Sequence, residues 1–211
     1  ARLLQETRQL RDRLRERNAF GLIVSDDPKM KAILDLVVQV GPSRASVLIS
    51  GESGTIGLGQ LLNGSGNAIV NNGTINSNGG GTIVIAGLDA GLTNNGTISA
   101  LNGGTIALQS NLIGGIGGQL AAGAGSVISQ QGVTISGIVN TSGGGSLRPT
   151  NSGNNSLSGV TLNGNLDMAS ATALERVINN LMLNGAININ NSSLLNFEGN
   201  QTLAGAAPAA S

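Results

Sequence analysis

Apolar and polar positions along this chain follow two different periods. In the charged segment RLLQETRQLRDRLRERN (residues 2–18), Leu3, Leu10 and Leu14 fall on one helical face at heptad-like spacing, with Thr7 and Arg17 at the other seam positions. This predicts a linker helix over residues 1–20, either a weak coiled-coil seam or a solvated connector. Further on, Met30, Ile33, Leu34, Val37 and Val38 again recur at helical spacing. Ser25, Asp26 and Asp27 offer capping oxygens ahead of them, Pro28 suits a first helical turn, and Gly41-Pro42 stops the helix. Ser46–Ser50, SVLIS, reads as a short buried strand that runs into Gly51-Glu52-Ser53-Gly54-Thr55.

From Ile56 the period becomes two. Thr82-Ile83-Val84-Ile85-Ala86 and Thr105-Ile106-Ala107-Leu108-Gln109 alternate apolar with small or polar residues, the pattern of half-buried strands. The pattern also repeats. Asn71-Asn72-Gly73-Thr74-Ile75 returns as Asn94-Asn95-Gly96-Thr97-Ile98, and Gly80-Gly81-Thr82-Ile83 as Gly103-Gly104-Thr105-Ile106, both shifted by 23 residues. Later units drift: Gly132-Val133-Thr134-Ile135-Ser136-Gly137 is echoed by Gly159-Val160-Thr161-Leu162-Asn163-Gly164, then by Leu183-Asn184-Gly185 and Gln201-Thr202-Leu203-Ala204-Gly205. A period in this range means a solenoid. Short strands separated by Asn-Gly and Gly-Gly corners cannot form helical repeats, whereas they can wind as a parallel β-helix. Ile75 would then stack on Ile98 and Ile83 on Ile106, with Asn72 and Asn95 sharing side-chain amide hydrogen bonds at a corner. Six or seven coils at about 4.8 Å each predict a rod roughly 30 Å long. Ala169–Leu183 fits either a short helix, with Leu174, Val177, Ile178 and Leu181 on one face, or a further coil; its place between two LNG units favours the coil.

The expected fold is therefore mainly β, a parallel β-helix preceded by a short α-helical segment and one strand. The expected divisions are a linker helix at 1–20, a second segment at 21–55, β-helix repeats at 56–205 and a frayed tail at 206–211.

Composition sharpens the break. Residues 1–55 carry nine of the eleven Lys/Arg and seven of the eleven Asp/Glu, but only four of the 34 Gly. Asn18 is the one Asn before the break and twenty-four follow it. The chain has no Cys, His, Trp or Tyr, and Phe only at Phe20 and Phe197. Its interior must therefore be filled by Ile, Leu, Val and Ala. Without Cys or His there is no disulfide, no thiolate or imidazole metal site and no Ser-His-Asp or Cys-His set. The net charge is zero, so no global field favours nucleic acid. The six Arg of residues 2–18 are interleaved with Glu6, Asp12 and Glu16, which reads as a solvated helix with i,i+4 pairs. No apolar run approaches the roughly 20 residues of a membrane helix. The chain opens on Ala1 with no signal peptide, which reads as a fragment and leaves its compartment open.

Two resemblances follow from these motifs. The order of linker helix, S-x-x-P-x-M helix and VLISGESGT resembles the start of the AAA+ domain of bacterial sigma-54-dependent transcriptional activators, over residues 1–55. That resemblance implies a cytoplasmic parent that binds ATP and remodels polymerase. Gly51, Glu52, Ser53, Gly54 and Thr55 match the first half of its Walker A loop. The family continues with Gly-Lys; this chain has Ile56 and Gly57. Gly57 supplies no cation for the β/γ-phosphates, and neither a Walker B strand nor an arginine finger follows. The motif reads as a vestigial half site that holds no cofactor.

The second resemblance is carried by IVNNGTINSNGGGTIVIAG, GVTLNGNLDM and LMLNGAININNSSLLNFEGNQTLAG, and covers residues 56–211. These units resemble the β-helix passengers of filamentous-haemagglutinin-like exoproteins and autotransporter adhesins. That implies an exported, non-catalytic surface protein with a host or cell-surface ligand. Uncapped coil ends add a capacity for edge-to-edge self-association.

Candidate chemistry beyond this is thin. Gly114-Gly115-Ile116-Gly117-Gly118 lacks the Asp of calcium-binding repeats and reads as a flexible corner or insertion. Asp89, Asp167, Glu175 and Glu198 could be paired by stacking, as glycosidase carboxylates are, but read as solubilising surface acids. The Asn-x-Ser/Thr triplets at Asn72, Asn95 and Asn140 are those expected of this composition. No catalytic, cofactor or metal residue is assigned. Ser53-Gly54-Thr55-Ile56 both ends the Walker-like half and opens like the repeat's own Gly-Thr-Ile. A shared string at the join of two unrelated designs predicts an accidental or non-natural fusion: an inactive AAA+ remnant on a structural, adhesive β-helix. The alternative is a fragment of the transcriptional regulator itself.

Overall fold

The computed structural model describes residues 27–40, 55–58, 68–169, 172–190 and 192–205. The linker helix of residues 1–20, Ser25, Asp26, the strand at Ser46–Ser50, Gly51–Gly54 and the tail at 206–211 lie outside them. The chain forms two compact units, Ala1–Ala45 and Ser46–Ser211.

In the first unit, helix α1 spans Pro28–Val40. Asp27 caps it. Its side-chain Oδ1 accepts from the Lys29 N–H at 2.8 Å and its carbonyl from the Lys31 N–H at 3.0 Å. Pro28 takes the first helical position, where a missing N–H costs nothing. The helical period of Met30 and Ile33 is thus realised, but burial is not: Met30, Ile33 and Leu36 are exposed and Leu34 is half-buried.

The second unit is a parallel β-solenoid of about six turns. Its first sheet runs in the order β1 (Thr55–Leu58), β4 (Thr82–Ile85), β7 (Thr105–Leu108), β10 (Val127–Gln130), β12 (Ser146–Pro149), β14 (Leu166–Met168) and β16 (Ile187–Ile189). The second follows β2 (Ile69–Asn71), β5 (Leu92–Asn94), β8 (Leu112–Gly114), β11 (Thr134–Thr141), β13 (Ser156–Asn163), β15 (Leu174–Leu183) and β17 (Leu194–Phe197). Strands β3 (Thr74–Asn78), β6 (Thr97–Leu101) and β9 (Gln119–Ala122) form a branch that joins β11, and β18 (Leu203–Ala204) lies on β15. The segment Ala169–Leu183 that fitted either helix or coil contains β15 and is a coil.

Successive coils meet in register, so like residues pile into columns. Ile69, Leu92, Leu112, Ile135, Leu157, Val177 and Phe197 form one column through the second sheet. Ile75, Ile98, Leu120, Val139, Leu162 and Leu183 form another. In the first sheet Ile56, Ile83, Ile106, Ile128, Leu147, Leu166 and Ile187 align in the same way. The expected Ile75/Ile98 and Ile83/Ile106 stacks are present. Each fully buried aliphatic side chain contributes roughly 1.5–3 kcal/mol, and long columns of them replace the aromatic core this chain lacks.

The corners obey sterics as much as turn chemistry. A Cβ on Gly96 would run into the carbonyl oxygen of Gly73 in the preceding coil. A Cβ on Gly115 or Gly118 would meet Asn95 Oδ1 or the Asn94 carbonyl. The Gly114–Gly118 stretch, expected as a flexible corner or insertion, ends β8 at Gly114 and turns before β9; Gly114, Gly115 and Gly118 all lie where a Cβ would run into atoms of another coil.

Strand β1 begins at Thr55, with Thr55 opposite Thr82 and Ile56 opposite Ile83. Ile189, Phe197 and Leu203 are exposed, whereas their register partners Met168, Val177 and Leu181 are buried.

Candidate functional site

Three groups of polar residues stand out in the solenoid. The first is the Walker-like string. Of its residues only Thr55 is described, and it sits in a parallel ladder with β4. Phosphate loops aim several backbone N–H groups at one anion by feeding a helix N-terminus. Here Thr55–Leu58 is extended strand, so its backbone runs alongside a neighbouring strand and does not converge on a point.

The second group is a set of amide ladders. At the corner after β2, Asn71 Nδ2 donates to Asn94 Oδ1 at 2.7 Å, and Asn94 Nδ2 donates to the Gln119 carbonyl at 2.9 Å. Both side chains are buried. Immediately outside, Asn95 Nδ2 donates to Asn72 Oδ1 at 2.9 Å, the pair expected from the repeat. The sequence signal for the buried Asn71/Asn94 pair is the doubled Asn-Asn of each repeat, of which the first faces inward.

A longer ladder runs along the outer side of the second sheet. Asn140 Nδ2 donates to Gln119 Oε1 at 3.2 Å, Asn163 to Asn140 at 2.8 Å and Asn184 to Asn163 at 2.8 Å. Every bond points the same way, so each amide polarises the next. An Asn side chain has two donors and two acceptor lone pairs. The ladder uses one of each on Asn140 and Asn163, which leaves one donor and one lone pair apiece outside it. Flanking the ladder, Gln119, Ile138, Thr161 and Met182 form an adjacent register column, in which Ile138 and Met182 are exposed.

The third group is the four acids among the described residues of the solenoid. Asp89 lies exposed in a turn. Asp167 Oδ2 accepts from Arg148 Nε at 2.8 Å across adjacent coils. Glu198 accepts from both Nε and Nη2 of Arg176, at 2.6 and 2.7 Å, and that bidentate bond holds its carboxyl below the usual carboxylate range. Glu175 differs. The expectation of surface acids fails for it, because it alternates inward with Val177 on β15 and is 1% exposed. Its position in the coil decides this, since Arg176 takes the outward place beside it. Burial pushes the Glu175 carboxyl up to about 8, against smaller opposing effects of the Arg176 backbone, the Gln130 side chain and the Arg176 guanidinium.

Among the described residues no three Asp, Glu, Cys or His side chains gather into a metal-holding group, and no helix is long and apolar enough to cross a membrane. No family model matches the chain, and no curated protein or solved structure matches it either.

Proposed function

We propose that the solenoid is a non-catalytic structural and adhesive element that presents the Gln119–Asn140–Asn163–Asn184 ladder and its flanking column to a host or cell-surface ligand. One observation carries this reading: these amides are fixed by their neighbours at strand spacing, yet Asn140 and Asn163 keep one donor and one acceptor unspent. Fixed side chains lose little rotamer entropy on binding, which favours recognition by a repetitive polar surface. An exported or outer-surface location accords with this role.

The test is binding of the full chain to immobilised glycans and matrix proteins. Saturable binding that weakens at least tenfold when Asn140 and Asn163 are both changed to Ala supports the proposal. Binding that the double variant leaves intact removes the ladder from it.

Residues 1–55 are read as an inactive remnant of the AAA+ opening, since Thr55 continues into a strand and Gly57 stands at the position of the phosphate-binding lysine. The expected result is no saturable ATP binding in equilibrium dialysis. Micromolar affinity would favour the transcriptional-regulator fragment instead.

A further inference from the structure

One corner of the solenoid interior is polar where the columns around it are apolar. In the first sheet Gln130 stands inward between Leu108 and Pro149 and is fully buried. In the second, Glu175 stands inward with Leu195 opposite it in the next coil. The Gln130 side chain is a neighbour of the Glu175 carboxyl.

The orientation of the Gln130 amide is fixed by its other bonds. Its Nε2 donates to the Val133 carbonyl at 2.8 Å and to the Ser156 carbonyl at 3.2 Å. Turning the amide over would set its oxygen against both carbonyls. The atom left over is therefore Oε1, an acceptor, and it has no partner. Both Glu175 oxygens are likewise buried without a partner. An ionised carboxylate is also an acceptor only, so three acceptors would share one dry corner. A single proton on Glu175 removes the conflict. A divalent hard cation fits less well, because it takes six or more oxygens and these side chains orphan three.

We propose that Glu175 is folded in as the neutral acid, and that loss of this proton loosens the C-terminal coils while the preceding coils stay wound. The released proton goes to solvent.

The surroundings offer an ionised Glu175 little compensation. Strands β10, β13 and β17 carry no ionisable side chain. Arg148 of β12 is held by Asp167, and Arg176 of β15 by Glu198. Solenoid coils are stabilised by their neighbours, so a fault in one coil can open that end without global unfolding. The direction of the linkage is set by the raised folded-state value. Between the ordinary 4.5 and about 8 the native state holds a proton the unfolded chain has lost. The stabilisation is complete below that window and is lost as pH rises through about 8.

The experiment uses the full chain and its Glu175→Gln variant. Hydrogen exchange is followed by mass spectrometry from pH 6 to 9.5 and corrected for intrinsic rates. In the parent, peptides covering residues 174–198 should lose protection by tenfold or more relative to peptides covering 97–122. In E175Q, whose side chain is neutral at any pH, that relative loss should vanish. An equal loss in both proteins overturns the proposal, as does no loss in the parent. Infrared spectra of the unmodified protein give a second measurement that does not depend on the variant folding. A protonated-carboxyl stretch present at pH 6 and gone by pH 9.5 supports the neutral acid; its absence at pH 6 overturns it.

Discussion

Leu157 and Phe197 belong to the same inward column, yet one is sealed and the other is 40% exposed. Leu157 has Ile135 on one side and Val177 on the other. Phe197 has Val177 on one side and no described strand on the other. The same contrast separates Met168 from Ile189 and Leu181 from Leu203. Burial in this fold depends on how many neighbours a coil has, and the apolar character of a side chain only makes that burial worthwhile.

The largest test of this comparison is Leu157→Ala against Phe197→Ala. The first should cost about 2–5 kcal/mol by chemical denaturation, because the cavity is walled on both sides. The second should cost about 1 kcal/mol or less, since an exposed ring has less transfer energy to lose. Equal costs would mean that the last coil is as well supported as the middle ones. Glycine corners sharpen the point. Gly96→Ala forces a methyl into the Gly73 carbonyl and should cost roughly 1–3 kcal/mol. Gly80, at φ +81°, has open space around it, so its Ala variant should lose only about 1 kcal/mol of stability, all of it to backbone strain.

The amide ladders come next. Asn94→Ala removes the acceptor of Asn71 and the donor to Gln119 inside the corner, and should cost about 1–3 kcal/mol. Asn95→Ala, one residue further along on the surface, should stay within about 0.5 kcal/mol. The smallest effect should come from Arg176→Gln, which breaks the pair with Glu198 near the last coil. Any loss in melting temperature should disappear in high salt. It should also disappear in acid: the pair's contribution is complete above the ordinary carboxylate range and is lost as pH falls from there through the lowered Glu198 value.

Much of the solenoid was legible before any coordinates. The 23-residue shift between Ile75 and Ile98, and between Ile83 and Ile106, set which residues stack, and the Asn72/Asn95 pair followed from the same shift. What stayed hidden was the direction of single side chains at corners and strand ends. Asn71 and Asn72 are identical in the sequence, and the turn between β2 and β3 turns one in and the other out. Glu175 followed by Arg176 looks like an ordinary surface ion pair. The pleat of β15 separates them, so Arg176 finds Glu198 outside while Glu175 faces Gln130 inside. The apolar face of α1 was legible as a period, but periodicity does not state what covers a face, and Met30 and Ile33 are exposed.

The sequence by itself determined the period, the strand content and the identity of the stacking columns, because these depend on local alternation and on repetition along the chain. Only the tertiary structure decided which polar groups and which apolar side chains are enclosed. Those depend on the register between coils some twenty residues apart and on the presence of a neighbour, and neither is written in any one segment.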